Sequence, residues 1–251
     1  MRRLALLLAL LAATPARAQP APPSLAAQLS QQRIEVTTAF TGGEILVFGA
    51  TERLIGEVAG QPGDEVLVLA TGPDLPLLVR QKVQMMGVWL NGPTARFNRV
   101  PAYWAVAGTR PVDEVLGRDA RAELRLGLDM LPLVQLGARG PQFRTALVDL
   151  KQRAGLWVDQ AVPVEVSGGR LFHARLPVPS TVATGEYRVQ VLLLRAGRVV
   201  ARQELRLDVV RSGSAAWIAD IARGQPVLYG LACIALAAFA GWLGSVLFRR
   251  N

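Results

Sequence analysis

The sequence predicts a mainly β protein: an Ig-like β-sandwich body with a helical insertion, followed by one C-terminal transmembrane helix. Three observations carry this expectation. Alternation of apolar and polar residues with a period of two recurs between Arg33 and Val210. Two stretches of helical spacing interrupt it between Asp113 and Leu156. A charge-free run from Pro226 to Phe248 follows the body.

The elements follow in chain order. Met1 to Ala18 has the three parts of a secretory signal peptide: Arg2 and Arg3, the apolar run Leu4 to Ala13, and the small-x-small site Ala16-Arg17-Ala18 before Gln19. That apolar run is too short to span about 30 Å of hydrocarbon. Ala18 to Ser24, with Pro20, Pro22 and Pro23, reads as an extended leader to a body over residues 19–211. Gln28 to Arg33 leads into a strand in which Ile34, Val36, Thr38 and Phe40 alternate with Arg33, Glu35, Thr37 and Ala39. Thr41-Gly42-Gly43 is a turn signal. Glu44 to Ala50 is apolar on both faces, as a central strand is. Glu65 to Ala70 is a third run, entered through Pro62-Gly63-Asp64 and left through Gly72-Pro73-Asp74. Leu77 to Leu90 and Phe97 to Ala107 are strand material split by Asn91-Gly92-Pro93.

The middle of the body changes period. Leu116, Ala120, Leu124 and Leu128 predict a helix within Asp113 to Leu131. Pro141 opens a second helix to Leu156, with Phe143, Leu147 and Leu150 on one side. The helical insertion therefore covers about 113–156. Strands return at Val162 to Val166 and Leu171 to Val178, divided by Ser167-Gly168-Gly169. Gly185-Glu186-Tyr187 opens the alternation Tyr187, Val189, Val191 and Leu193. Ala196-Gly197 turns it, and Val199 to Val210 returns. A Gly-x-Tyr strand before a last hairpin is a feature of Ig-like sandwiches, where the Tyr packs at a corner.

Residues 212–225 link the body to the membrane, and Trp217, Ile218 and Ile221 suit its surface. The transmembrane helix is 226–248, with Tyr229, Trp242 and Phe248 toward its ends, and 249–251 form a cytoplasmic tail. The signal sends the body outward and Arg249-Arg250 stay inside. The expectation is a bacterial inner-membrane, single-pass protein with its bulk in the periplasm and its C-terminus cytoplasmic. Cys233, Ala237, Gly241 and Ser245 recur every four residues and form a helix-packing face of small residues.

Composition narrows the function. The chain has 251 residues, 51% of them apolar, which excludes a disordered chain. One Cys and one His exclude an intramolecular disulfide framework and a multi-histidine metal site. The formal charge is +9, yet Arg2, Arg3, Arg17, Arg249 and Arg250 lie at the ends; the middle carries 23 basic and 19 acidic residues. That is no nucleic-acid footprint. All but two of the 28 basic residues are arginine, the exceptions being Lys82 and Lys151.

No G-x-S-x-G elbow, phosphate loop or H-E-x-x-H pattern occurs. His173 sits in a strand without a paired nucleophile, and neither Lys has a Ser three residues earlier. Asp64-Glu65 and Asp113-Glu114 read as turn and helix-start charges. No catalytic residue, metal or cofactor is expected, and the chain is not read as an enzyme. One region combines aromatic, amide and arginine side chains: Trp89, Asn91, Arg96, Phe97, Asn98, Arg99, Tyr103 and Trp104. Trp89, Asn91, Arg96, Arg99, Tyr103 and Trp104 are a candidate interaction surface. The alternative places Trp89 and Trp104 in the core with the arginines at its rim.

Several strings resemble a family of alphaproteobacterial transmembrane proteins. They are Phe40-Thr41-Gly42 with Glu44-Ile45-Leu46-Val47-Phe48-Gly49-Ala50, Gly87-Val88-Trp89-Leu90-Asn91, Val100-Pro101-Ala102-Tyr103-Trp104-Ala105-Val106-Ala107, Gly185-Glu186-Tyr187-Arg188-Val189, and Tyr229-Gly230. The first is the most specific, and the resemblance covers nearly the whole mature chain. It implies no catalytic residues. It implies a neighbourhood of permeases of the sulfite-exporter kind, hence a permease or other inner-membrane protein as partner. The function expected is an accessory or assembly subunit of an inner-membrane complex. The alternative is a tethered ligand-binding or sensing module, which needs a concave, partly polar pocket between its sheets.

Overall fold

The computed structural model describes residues 25–58, 60–213 and 222–248. The signal peptide, the Pro-rich leader, Trp217, Ile218, Ile221 and the tail lie outside the described residues.

Two sheets form the sandwich. The smaller has the order β1 (Leu25–Leu29), β3 (Gly42–Thr51), β13 (Leu171–Pro179), β12 (Glu165–Ser167), all antiparallel. The larger runs β11 (Trp157–Pro163), β9 (Trp104–Gly108), β6 (Glu65–Thr71), β14 (Gly185–Arg195), β15 (Arg198–Arg211), β2 (Arg33–Val36). These orders are those of an Ig variable-type domain, A-B-E-D against A′-G-F-C-C′. β2 pairs parallel with β15, as strand A′ does with strand G. β11 is an addition. It lies parallel to β9 because the chain reaches it by a crossover through the helical insertion. A two-residue hairpin, β4 (Glu57–Val58) and β5 (Gln61–Pro62), precedes β6.

Period two on the strands puts alternate side chains into the space between the sheets. Ile45, Val47, Phe172, Ala174 and Leu176 meet Val66, Val68, Val189, Val191 and Leu193 there, all buried. The interior is filled with apolar side chains, most of them aliphatic. These side chains pack the space between the two sheets. Tyr187 closes one corner, its hydroxyl donating to the Ala183 carbonyl at 2.7 Å. Burial pushes the Tyr187 phenol well above its ordinary pKa.

Much of the other face of the larger sheet is also covered. A third layer holds α1 (Val112–Val115), α2 (Arg118–Leu124), a 3-10 turn (Leu128–Met130), α3 (Pro141–Arg153) and the sheet β10 (Val134–Gly137), β8 (Val88–Pro101), β7 (Asp74–Met85). Leu67, Leu69, Trp104, Val106 and Leu192 of the sandwich pack there against Phe97, Leu116, Leu126, Phe143 and Leu147. β6, β9 and the second half of β14 (residues 191–194) thus have both faces buried, which accounts for runs such as Val66-Leu67-Val68-Leu69-Ala70.

Four expectations are corrected. The helix within Asp113 to Leu131 is three short pieces, broken at Gly117 and at Gly127 (φ 123°). The breaks redirect the chain so that Leu116, Leu126 and Leu128 all reach the core, which one straight helix does not allow. The insertion also contains the strand β10. Asn91-Gly92-Pro93 is no turn but lies inside β8. Finally, β2 ends at Val36 and Gly42-Gly43 begin β3, so the turn comes earlier, with the Phe40 amide bonded to the Thr37 carbonyl. α4 (Pro226–Phe248) is the one described helix long and apolar enough to cross a bilayer, with a mean hydropathy of 1.9 over Pro226–Ser245.

Candidate functional site

β6 continues into β7, and β8 into β9, as one long antiparallel hairpin. It bends at Gly72-Pro73 on one strand and Ala102-Tyr103 on the other. Beyond the bend the paired strands leave the sandwich as an arm. The bend is held from several sides. The Gly72 amide donates to the Tyr103 carbonyl at 2.9 Å, and the Ala102 amide to the Pro73 carbonyl at 2.8 Å. Trp157 Nε1 donates to the Pro101 carbonyl at 3.1 Å, and Lys151 Nζ to the Ala102 carbonyl at 3.1 Å. The Tyr103 hydroxyl reaches across to the Pro177 carbonyl at 2.8 Å. Burial pushes the Tyr103 phenol well up, with nearby Tyr187 adding to it, and burial pulls the Lys151 ammonium down.

Two bulges shape the arm. Leu75 opposes Val100 while Leu77 opposes Phe97, so β8 carries an extra residue at Asn98-Arg99. Arg99 takes the left-handed conformation there (φ 54°). Arg80 opposes Thr94 while Lys82 opposes Asn91, so Gly92-Pro93 form the second bulge. A strand tolerates Gly and Pro at such a position, which explains why the turn signal misled. The true turn is Met86-Gly87, with φ of 49° and 81°. Both residues have positive φ, as a two-residue hairpin turn demands.

The tip is apolar and uncovered. Met85 is 59% exposed, Met86 103%, Val88 59%, Trp89 63% and Leu90 47%. Cross-strand pairing puts Trp89 and Asn91 on one face with Gln84 and Lys82. Farther down, Leu78, Arg96 and Leu136 stand side by side across β7, β8 and β10, all exposed. Residues 75–101 contain Arg80, Lys82, Arg96 and Arg99 and no acidic residue. The arm is a cationic shaft with an apolar end.

The candidate interaction residues therefore divide. Trp89, Asn91, Arg96 and Arg99 are exposed on the arm. Tyr103 and Trp104 are not surface residues: they are 0% and 1% exposed, because they lie past the bend in the two cores. Sequence reasoning missed Met85, Met86, Val88 and Leu90. The signal available was the Met-Met-Gly step between two alternating runs. Cys233, Ala237, Gly241 and Ser245 are exposed on α4 at four-residue spacing.

Several titratable side chains of the body pair with neighbours. His173 Nε2 lies 3.2 Å from Glu165 on the neighbouring strand. Asp64 is buried and receives both Nε and Nη2 of Arg195 at 2.8 Å. Glu65 accepts the Thr109 hydroxyl and stands 3.6 Å from Arg110. Glu114 pairs with Arg110 at 3.1 Å. Among the described residues no group of three metal-ligating side chains exists.

No curated protein matches the chain. The family model described as "Putative transmembrane protein (Alph_Pro_TM)" matches residues 24–250. That span takes in β1, all three layers of the body, the arm and α4, so the chain belongs to this family of transmembrane proteins.

Proposed function

We propose that this chain is a non-catalytic accessory subunit of an inner-membrane complex, docked through its arm onto a membrane protein such as a permease. α4 anchors it, the body lies in the periplasm and the C-terminus faces the cytoplasm. The signal-like start and the Arg249-Arg250 pair support that orientation. The observation that carries the reading is the arm's tip, where Met85, Met86, Val88, Trp89 and Leu90 are all solvent-exposed and contiguous. Soluble surfaces rarely leave such a patch uncovered unless a partner covers it. Methionine and tryptophan are suited to that contact, one adaptable and one a large anchor. The cations behind the tip favour a partner recess edged with carboxylates. The small-residue face of α4 offers a second contact inside the bilayer.

The test places a photo-crosslinking residue at Trp89 in the full chain and irradiates native membranes. The expected product is one integral membrane protein, recovered in fixed ratio and lost when Met86→Glu is added. Crosslinks to lipid alone, or to many proteins without ratio, overturn the reading.

A further inference from the structure

A cleft of about 690 Å³ lies on the outer face of the larger sheet, between the base of the arm, the end of α2 and strands β14 and β15. Its volume is in the range of small-molecule sites. Four arginines line it: Arg99, Arg125, Arg188 and Arg202. They come from four separate places in the chain. Arg99 stands at the bulge in β8, and Arg125 caps α2 in the left-handed conformation (φ 54°). Arg188 and Arg202 project from β14 and β15 on the side opposite the aliphatic interior.

Several arginines elsewhere in the body are paired. Arg195, Arg110, Arg153 and Arg206 each have a carboxylate partner. None of the four cleft arginines has an ion pair or a side-chain hydrogen bond among the described residues. Asp74 and Glu123 also line the cleft, so an excess of two positive charges remains. Like charges around one hollow repel, and an anion bound among them relieves that repulsion. The floor is different in character. Leu69, Leu131 and Trp104 form part of it, and the buried Trp104 indole N–H has no acceptor. Guanidinium groups match carboxylates and phosphates two bonds at a time, and an apolar floor takes the rest of an organic molecule.

We propose that this cleft binds a small organic anion, its carboxylate, phosphate or sulfonate head held by the four arginines and its apolar part on Leu69 and Trp104. The site is independent of the docking tip, which lies at the far end of the arm.

Phenyl phosphate is the probe, titrated by calorimetry into the full chain in an uncharged detergent. Inorganic phosphate and phenol serve as the two halves of the probe. The expected result is one saturable site, tighter for phenyl phosphate than for inorganic phosphate, with no binding of phenol. Arg188→Gln combined with Arg125→Gln weakens binding about tenfold or more, the equivalent of one lost charge-assisted contact. Arg206→Gln, on the same sheet but paired to Glu186 and outside the cleft, leaves it unchanged. Absence of saturation up to about 10 mM overturns the proposal. So does binding that ignores the double substitution, or equal affinity for phenol. Inorganic phosphate binding as tightly as phenyl phosphate overturns the assignment of an organic ligand. Thermal unfolding of the double variant shows that any loss is not a loss of fold, and Arg202→Gln repeats the test from another strand.

Discussion

Trp157 donates its indole N–H to the Pro101 carbonyl across 3.1 Å. This bond joins the strand that returns from the helical insertion to the point where the arm bends away from the sandwich. Both partners are buried, so the carbonyl has no water to fall back on. Trp157→Phe keeps an aromatic ring in the core and removes the donor. Its expected cost is about 1–3 kcal/mol of unfolding free energy in urea. Amide exchange at Gly72 and Ala102 should quicken more than exchange within β14. Equal protection at the bend in both proteins would show that the other hydrogen bonds hold it unaided.

Alkaline pH should destabilise the body through two tyrosines. Tyr103 and Tyr187 have phenol pKa values raised above 10.0, mainly by burial. A raised folded-state pKa gives stability that is complete below the unfolded value and lost as pH rises beyond it. Above pH 10 each tyrosine therefore removes about 1.4 kcal/mol per pH unit. Lys151 acts with the opposite sign, since burial lowers its pKa, and its contribution ends near 10.5. Tyr187→Phe should halve the alkaline slope measured by denaturation at stepped pH. An unchanged slope would mean that Tyr187 ionises in the folded body as it does in water.

The Asp64 carboxylate is 1% exposed and receives a two-pronged contact from Arg195. It ties the start of β6 to the end of β14, at the edge of the core. Asp64→Ala removes the buried charge and its hydrogen bonds together, at an expected cost of about 2–4 kcal/mol. Arg195→Ala should destabilise more, because it leaves the carboxylate buried with only Arg53, 3.9 Å away. Thermal unfolding of the two variants gives the order. The reverse order would mean that water reaches Asp64 once its partner is gone.

The sandwich was legible because its strands obey period two and its hairpins carry Gly at positive φ, as at Ala196-Gly197. Gly-x-Tyr was informative because a Tyr hydroxyl at that corner has a backbone acceptor within reach. β1 escaped notice: Leu-Ala-Ala-Gln-Leu shows no β-branched residue, and its place is set by pairing with β3. The insertion was legible as helical but not as broken. Spacing reports which residues face the core, not whether a glycine turns the chain between them. The arm was cut at the wrong place because Asn-Gly-Pro is a strong turn signal when strands are regular, and here the strand bulges. The four cleft arginines lie between residues 99 and 202, so only the fold brings them together.

Gly49 sits where two neighbours leave no room for a side chain. A Cβ there would come within 2.3 Å of the Ala26 carbonyl and 2.5 Å of the Phe172 ring. Neither neighbour can move freely: one is the backbone of β1, and the other fills the space between the sheets. Gly49→Ala should therefore cost about 1–3 kcal/mol by overpacking. The loss should concentrate at the β1 edge, read as faster amide exchange in residues 25–29. Wild-type stability would show that β1 moves aside without penalty.

The tip and the fold are separable. Val83 faces Leu90 across the arm, so excising Gln84 to Trp89 and joining the two through Asn-Gly leaves the register below intact. Met85, Met86, Val88 and Trp89 are more than half exposed, and their removal takes little from either core. The unfolding free energy should stay within about 0.5 kcal/mol of the parent, as for surface changes elsewhere. On the docking proposal, recovery of a membrane partner in mild detergent should disappear, because the proposed apolar contact has gone. If the shortened chain keeps its partner in full ratio, the contact lies on α4 or the sandwich instead. If it unfolds, the arm belongs to the core and its exposed apolar surface serves stability rather than docking.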